Sequence, residues 1–415
     1  MKFLVRLATK NLWRYGRRTL ITAAAIALGL ATYVLLDSML VGADEESVRN
    51  LIWYETGSAR VMHPDYWAER ERAPLRHVIE DPDSVLDALR SQDVAATPRT
   101  TFSGELIVWR DPFPEDGSLL VHVTAIDPET DGRVYRFDQW ITEGRPLQAG
   151  EPGVVLGSWL AEDLGAEVGY PLIISARSRY GARVTIDAEV VGILNSPNPV
   201  INRGGIFLPL DIADLYLDME GAVTQIDLRF ADYARVEGPI AELKQLPALR
   251  DLEIADWRLL GADYIAMMEA DSVGSGIILF LVFVIAAVGV SNTMLMTIFE
   301  RTREIGMMRA LGMDDRAIRN LFLIEAAGIG LIGAAAGILL GALGNIPMVR
   351  VGIDYSAMFR TMDAGYRSTG VLYGAWVPST FVIAALMGVA LAVIVALVPT
   401  RRALRMDIPR ALSRQ

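Results

Sequence analysis

Four apolar runs constrain this chain more than any other feature: residues 19–41, 273–299, 321–345 and 376–398. At 1.5 Å of rise per residue, a helix of about 20 residues covers the hydrocarbon core of a bilayer, and each run meets that length. The 415 residues are therefore read as an α-helical membrane protein with four transmembrane helices and a large water-soluble insert at 42–272. Asp37, near the end of the first run, is expected at the interface rather than at mid-bilayer.

The formal net charge of −11 conceals a partition. Residues 42–272 carry 41 acidic and 20 basic side chains, a net of −21, while the rest of the chain carries 9 and 19, a net of +10. Basic residues cluster before the first run (Lys2, Arg6, Lys10, Arg14, Arg17, Arg18), between the second and third (Arg301, Arg303, Arg309, Arg316, Arg319) and after the last (Arg401, Arg402, Arg405, Arg410, Arg414). The positive-inside rule places these three regions in the cytoplasm, with the insert and the 346–375 loop outside. The plan reads 1–18 cytoplasmic amphipathic helix, 19–41 first span, 42–272 external domain, 273–299 second span and 300–318 cytoplasmic helix. It continues with 319–345 as third span, 346–375 as external loop, 376–398 as fourth span and 399–415 as cytoplasmic tail.

With no cysteine, the insert has neither disulfides nor thiol chemistry. About 230 residues are enough to supply its own core. The first run lacks a small-residue cleavage pattern after it, which predicts a retained anchor.

Before that run, Phe3, Leu4, Leu7, Leu12 and Trp13 alternate with Lys2, Arg6, Lys10 and Arg14 at helical spacing. Such a helix suits an anionic inner leaflet, contact with another subunit, or both. The stretch from Arg301 to Leu311 is also short and amphipathic. Ile305, Met308 and Leu311 fall on one face, with Arg301, Glu304 and Arg309 elsewhere. Tied at both ends to apolar spans, it lies at the water interface and cannot move without them. That is the geometry of a lever; the plainer reading is a loop whose charges only fix topology.

Within the insert, 105–109, 119–125, 153–156, 172–176, 183–194 and 225–230 have the β-branched, period-two character of strands. Residues 82–91, 158–164, 210–217 and 239–245 read as helices, so the domain is α+β. The turn-rich loops 178–183 and 195–205 are exposed hairpin tips or partner-gripping protrusions. Residues 256–271 read as a helix leading to Gly274-Ser-Gly276, a flexible approach to the second span. In the third span Gly333, Gly337 and Gly341 share a face and permit close helix contact, within the chain or across a dimer seam. Glu325 needs an arginine or backbone partner there.

Catalytic chemistry is not expected. Lysine occurs only at 2, 10 and 244, none of them after a glycine-rich phosphate loop, so the chain is no ordinary P-loop ATPase. His63, His77 and His122 lack zinc-site spacing, and no Gly-x-Ser-x-Gly elbow exists. The histidines are read as structural or surface residues, and the insert's carboxylates as a solvated acidic face.

Several stretches carry a family resemblance. Glu300-Arg-Thr-Arg-Glu-Ile-Gly, then Arg309-Ala-Leu-Gly, then Ile324-Glu-Ala resembles the signature of FtsX/MacB/LolE-type ABC transporter permeases. Lys10-Asn-Leu-Trp-Arg and Val398-Pro-Thr-Arg-Arg resemble that family's opening and closing segments. Val154-Val-Leu-Gly-Ser-Trp and Glu189-Val-Val-Gly-Ile-Leu resemble its external domain, although Tyr170 stands where relatives usually carry an acid.

The nearest likeness is to LolC/LolE-type lipoprotein-releasing permeases. It implies an external domain with porter-like and β-rich parts. It also implies that Glu300, Arg301, Arg303, Glu304, Ile305, Gly306, Met308, Arg309, Leu311 and Gly312 form a coupling helix docking on an ABC ATPase subunit. Two permease copies, identical or different, would pair with two ATPase subunits that bind ATP and Mg, leaving no cofactor in this chain. Further expected partners are membrane lipid and a periplasmic carrier, lipoprotein or other external protein, with no nucleic acid. The implied setting is the bacterial inner membrane. MacB-like efflux and FtsX-like regulation of an external enzyme are the alternatives.

Overall fold

The computed structural model describes residues 2–107, 117–357, 367–368 and 370–404, with only part of the side chains between 271 and 299. The chain divides into two units. One comprises Met1–Asp44, Met268–Asp354 and Val371–Gln415; the other comprises Glu45–Met267 and Tyr355–Gly370.

Helices α1 (Lys2–Arg14) and α2 (Gly16–Leu51) open the chain, and α2 runs on ten residues past residue 41. A π-turn over Ile52–Thr56 ends it, closed by the Gly57 N–H on the Ile52 carbonyl at 3.1 Å. Gly57 has φ +65°, and a Cβ there would lie 2.8 Å from the Leu228 carbonyl oxygen, so only glycine fits.

The domain that follows contains β1 (Ala59–Met62), α3 (Pro82–Ser91), β2 (Ala95–Ile107), β3 (Ser118–Ile126), β4 (Ile141–Gly144), β5 (Gly153–Gly157), α4 (Ser158–Leu164), β6 (Pro171–Arg177) and β7 (Arg183–Leu194). It continues with α5 (Pro199–Gly204), β8 (Ile206–Pro209), α6 (Leu210–Leu217), β9 (Gln225–Arg229), α7 (Glu237–Leu243), β10 (Glu253–Asp256) and α8 (Trp257–Leu260). The strands form one mixed sheet, ordered β10-β1-β9-β2-β3-β8-β5-β7-β4, with β6 bridging β2 and β7. Strand β2 pairs β9 along Ala95–Arg99 and β6 along Gly104–Ile107, so it serves both halves.

The sheet is thus continuous, but its core is divided. Val61, Leu86, Leu89, Ile226 and Leu228 form one cluster, while Phe102, Leu106, Val123, Leu156 and Ile174 form another. Not all carboxylates lie on a solvated face, as the sequence reading had it. Arg99 donates to both oxygens of Asp131 at 2.7 and 3.0 Å, and Arg60 Nε donates to Asp227 at 2.6 Å. Asp227 is fully buried and Asp131 nearly so. The 195–205 loop is not a protrusion either. Ser196, Asn198 and Asn202 are buried, with the Ser196 N–H donating to Asn202 Oδ1 at 2.7 Å.

Among the described residues the chain continues with α9 (Ala262–Glu300), α10 (Thr302–Ala310), α11 (Asp315–Arg350) and α12 (Pro378–Leu404). A two-residue ladder of β11 (Ile353–Asp354) and β12 (Val371–Leu372) joins α11 to α12. Helix α9 is continuous through residues 274–276, so the flexible approach expected there is a helix instead. Helix α10 covers only part of 300–318, because α11 already begins at Asp315 and runs on to Arg350. Among the described residues, Thr19–Thr56, Asp315–Arg350 and Pro378–Arg401 are long and apolar enough to cross a membrane. The fourth apolar run lies within α9.

The glycine stripe of α11 is used inside the chain. A Cβ on Gly333 would lie 2.8 Å from Ile26, one on Gly337 2.8 Å from the Ala27 carbonyl oxygen, and one on Gly341 2.9 Å from Val34. Backbone therefore approaches backbone between α2 and α11, the contact that small residues allow. Asn345 is buried beside them and accepts from Ser38 Oγ at 2.5 Å, and Thr380 donates to Asp37.

The described part of the 355–370 segment ties several elements together. The Arg367 carbonyl accepts from Asn50 Nδ2 at 2.7 Å, and its N–H donates to Ser47 Oγ at 3.2 Å. Its guanidinium lies 2.8 Å from Glu55, on the π-turn, and 4.9 Å from the centre of the Tyr264 ring, on α9. Ser368 Oγ donates to Glu46 at 3.1 Å.

Candidate functional site

Helix α10 is nine residues long, too short to persist in water without tertiary support. Its lower face supplies that support. Ile305 packs with Ile318 and Phe322, and Met308 and Met313 close around them. A Schellman motif ends the helix. The Met313 N–H bonds the Met308 carbonyl and the Gly312 N–H bonds the Arg309 carbonyl, both at 3.0 Å, with Gly312 at φ +88°. Arg309 Nε reaches Asp315 across the turn at 3.2 Å.

At the other end, Arg301 is buried, 4% exposed, and organises a charged cluster. Its Nη1 donates to Glu325 Oε2 at 2.7 Å and its Nε to Glu304 Oε2 at 2.9 Å. Glu325 also accepts from Asn11 Nδ2 at 2.5 Å, and Glu304 accepts from the Tyr15 hydroxyl at 3.1 Å. The guanidinium sits 5.2 and 5.4 Å from the ring centres of Phe322 and Tyr15. Burial alone would raise the Glu304 pKa, but the Arg301 and Tyr15 hydrogen bonds outweigh it and hold the carboxyl below its ordinary value. Glu325 thus has the arginine partner expected of it.

The network fixes α10 to α1 and α11. Leu12 of α1 also lies against Gly328, where a Cβ would come within 2.7 Å of it. The ten residues singled out in 300–312 therefore divide into two groups. Arg301, Ile305 and Gly306 face inward, and Glu304, Met308 and Arg309 are half-buried. Glu300, Arg303, Leu311 and Gly312 are exposed. Leu311 does not share the apolar face with Ile305 and Met308. The helix ends at Ala310, the backbone turns away, and Leu311 is left 89% exposed. Met307, which the sequence reading passed over, is exposed beside it. Its position two residues after Ile305 puts it on the opposite face, and that spacing was available in the sequence.

His63 and His77 stack at 5.2 Å near Asp65, but Asp65 N–H occupies His63 Nδ1 and Arg76 Nε occupies His77 Nε2.

Comparison with known families accounts for both units. The model of a MacB-like periplasmic core domain matches residues 19–246, and that of an FtsX-like permease C-terminal domain matches 276–408. The lipoprotein-releasing system transmembrane protein LolC of Neisseria meningitidis is 23% identical over 342 residues, covering 78% of this chain and 76% of LolC. The macrolide export ATP-binding/permease protein MacB of Aggregatibacter actinomycetemcomitans is 24% identical over 345 residues, covering 81% of this chain and 52% of MacB. The ABC transporter permease YtrF of Bacillus subtilis is 35% identical over 136 residues, covering 32% of this chain and 30% of YtrF. The chain thus spans about three quarters of LolC but only about half of MacB.

Proposed function

The chain belongs to the ABC transporter permeases that combine a MacB-like periplasmic core domain with an FtsX-like C-terminal domain, and from that membership we propose that it converts the nucleotide cycle of a separate ATPase subunit into motion of its external domain. The observation that carries this reading is the Arg301 cluster. Buried charges bind α10 to α1 and α11, while Met307, Leu311 and Arg303 are left uncovered for a partner. A push on α10 would then be a push on the helices themselves.

In this reading all four apolar runs span a bacterial inner membrane, both termini lie in the cytoplasm and the acidic domain is periplasmic. Two permease copies work with two ATPase subunits, which bind the ATP and Mg. The cargo class is a lipoprotein or lipid taken from the outer leaflet, supported by the LolC likeness along most of both chains. The matched MacB-like domain favours peptide or antibiotic efflux as the second reading.

The test reconstitutes the permease with its ATPase. Met307→Glu and Leu311→Glu, both at exposed positions, should lower cargo-stimulated ATP hydrolysis at least tenfold while leaving the melting temperature unchanged. Wild-type turnover in the double variant would remove the coupling assignment. Stimulation by an added lipoprotein, but not by a macrolide, would separate the two cargo readings.

A further inference from the structure

The external domain is strongly acidic, yet one cleft in it, of about 440 Å³, is lined by Arg72, Arg76, Arg177, Arg179 and Arg183. Some of this charge is already committed. Arg179 pairs with Glu80 and donates to the Met219 carbonyl, and Arg76 pairs with Glu69. Arg183 lies 3.3 Å from Glu105. Arg72 and Arg177 are exposed and have no ion pair among the described residues.

Two further observations concern the cleft itself. Arg177 and Arg183 stand directly opposite each other in the β6–β7 register. Like charges at facing positions destabilise a strand pair, and nothing in the hairpin requires them. Its turn is instead set by Gly181, at φ +85°, and by the Ser178 N–H on the Ala182 carbonyl. Ser178, which also lines the cleft, is only 4% exposed, and its Oγ is buried without a hydrogen-bond partner in the structure. A buried hydroxyl without a partner is costly unless something fills the place.

We propose that this cleft binds a tetrahedral oxyanion of the phosphate-ester class, held by Arg72, Arg177 and Arg183 with Ser178 Oγ as a further donor. These arginines line the cleft from the 67–72 turn and from two strands, and the planar guanidinium is the side chain best matched to a phosphate's oxygens. Leu120, at the rim, is 80% exposed and gives an apolar neighbour to whatever the phosphate is attached to. None of its residues belongs to α10, and its binding does not depend on that helix.

The experiment uses the full-length protein in a zwitterionic detergent free of phosphate, titrated calorimetrically with inorganic phosphate and with detergent micelles doped with phosphatidic acid. Saturable binding of either, weakened at least tenfold in Arg72→Gln/Arg177→Gln and several-fold in Ser178→Ala, is the expected result. Tighter binding of the doped micelles identifies a lipid headgroup, and equal binding identifies a free phosphate. Both double-variant positions are at the surface, so the fold should be retained, and an unchanged melting temperature checks this. Absence of saturable binding, unchanged affinity in the double variant, or binding of a hexaglutamate peptide without phosphate binding would overturn the proposal.

Discussion

Arg301 and Glu325, 24 residues apart in sequence, meet at 2.7 Å with the guanidinium 4% exposed. This contact joins the head of α10 to the first turns of α11. A buried pair of this kind gains little over an apolar replacement, but removing one partner strands the other charge, at a cost of about 3–5 kcal/mol. Arg301→Met should therefore lower thermal stability markedly. Arg301→Met/Glu325→Leu should recover most of it and still fail to couple. A melting series of the two variants in detergent decides the point, and a double variant no more stable than the single one would refute it.

Glu304 gives a pH dependence. Its folded-state pKa lies below the ordinary 4.5, so its contribution is complete above that value and is lost as the pH falls through the lower, folded value. The contact of α1 with α10 should accordingly loosen in acid and hold at neutral pH. Because the chain has no native cysteine, spin labels can be placed at Lys10→Cys and Arg303→Cys without background. Their separation should broaden below pH 4.5, and in Glu304→Gln it should be broad at every pH. A distance distribution in the parent protein that does not change with pH would count against the clamp.

Gly337→Leu should be among the most damaging substitutions in the membrane unit. Even a Cβ at this position would come within 2.8 Å of the Ala27 carbonyl oxygen and 2.9 Å of Leu30. Overpacking of this kind costs about 1–3 kcal/mol, and here the obstacle includes backbone. Lower yield and a lower melting temperature are expected, with Gly276→Leu as the control, since a Cβ there meets nothing within 4 Å.

In the external domain, Asp227→Asn removes the charge that Arg60 faces at 2.6 Å and lies close to Arg99. A loss of about 3–5 kcal/mol is expected in chemical denaturation monitored by tryptophan fluorescence. Asp187→Asn, on β7, should be nearly silent.

The long periodic features were readable from the sequence. Helices 82–91, 158–164 and 210–217 form over the expected residues, because each joins an apolar stripe to a start or stop signal such as Pro82 or Gly165. Strands β1, β4, β8 and β10 were not anticipated. Each has four residues, too few for an alternation to show, and β8 is buried throughout. The division of the 300–312 stretch into buried and exposed members was legible only in part. Periodicity placed Ile305 and Met308 correctly and failed at Leu311, where a left-handed glycine ends the period. The Arg60–Asp227–Arg99–Asp131 network could not be read at all, since long-range pairing in the sheet creates it. Expectations for residues 108–109, 358–366 and 405–415 lie outside the described residues.

Arg367 has a mechanical consequence. One short segment grips Ser47 and Asn50 near the end of α2, Glu55 on the π-turn and Tyr264 in the first turn of α9. Two stalks buckled by a common strap share any load applied to either. Cutting the strap with Arg367→Ala would let each stalk bend alone.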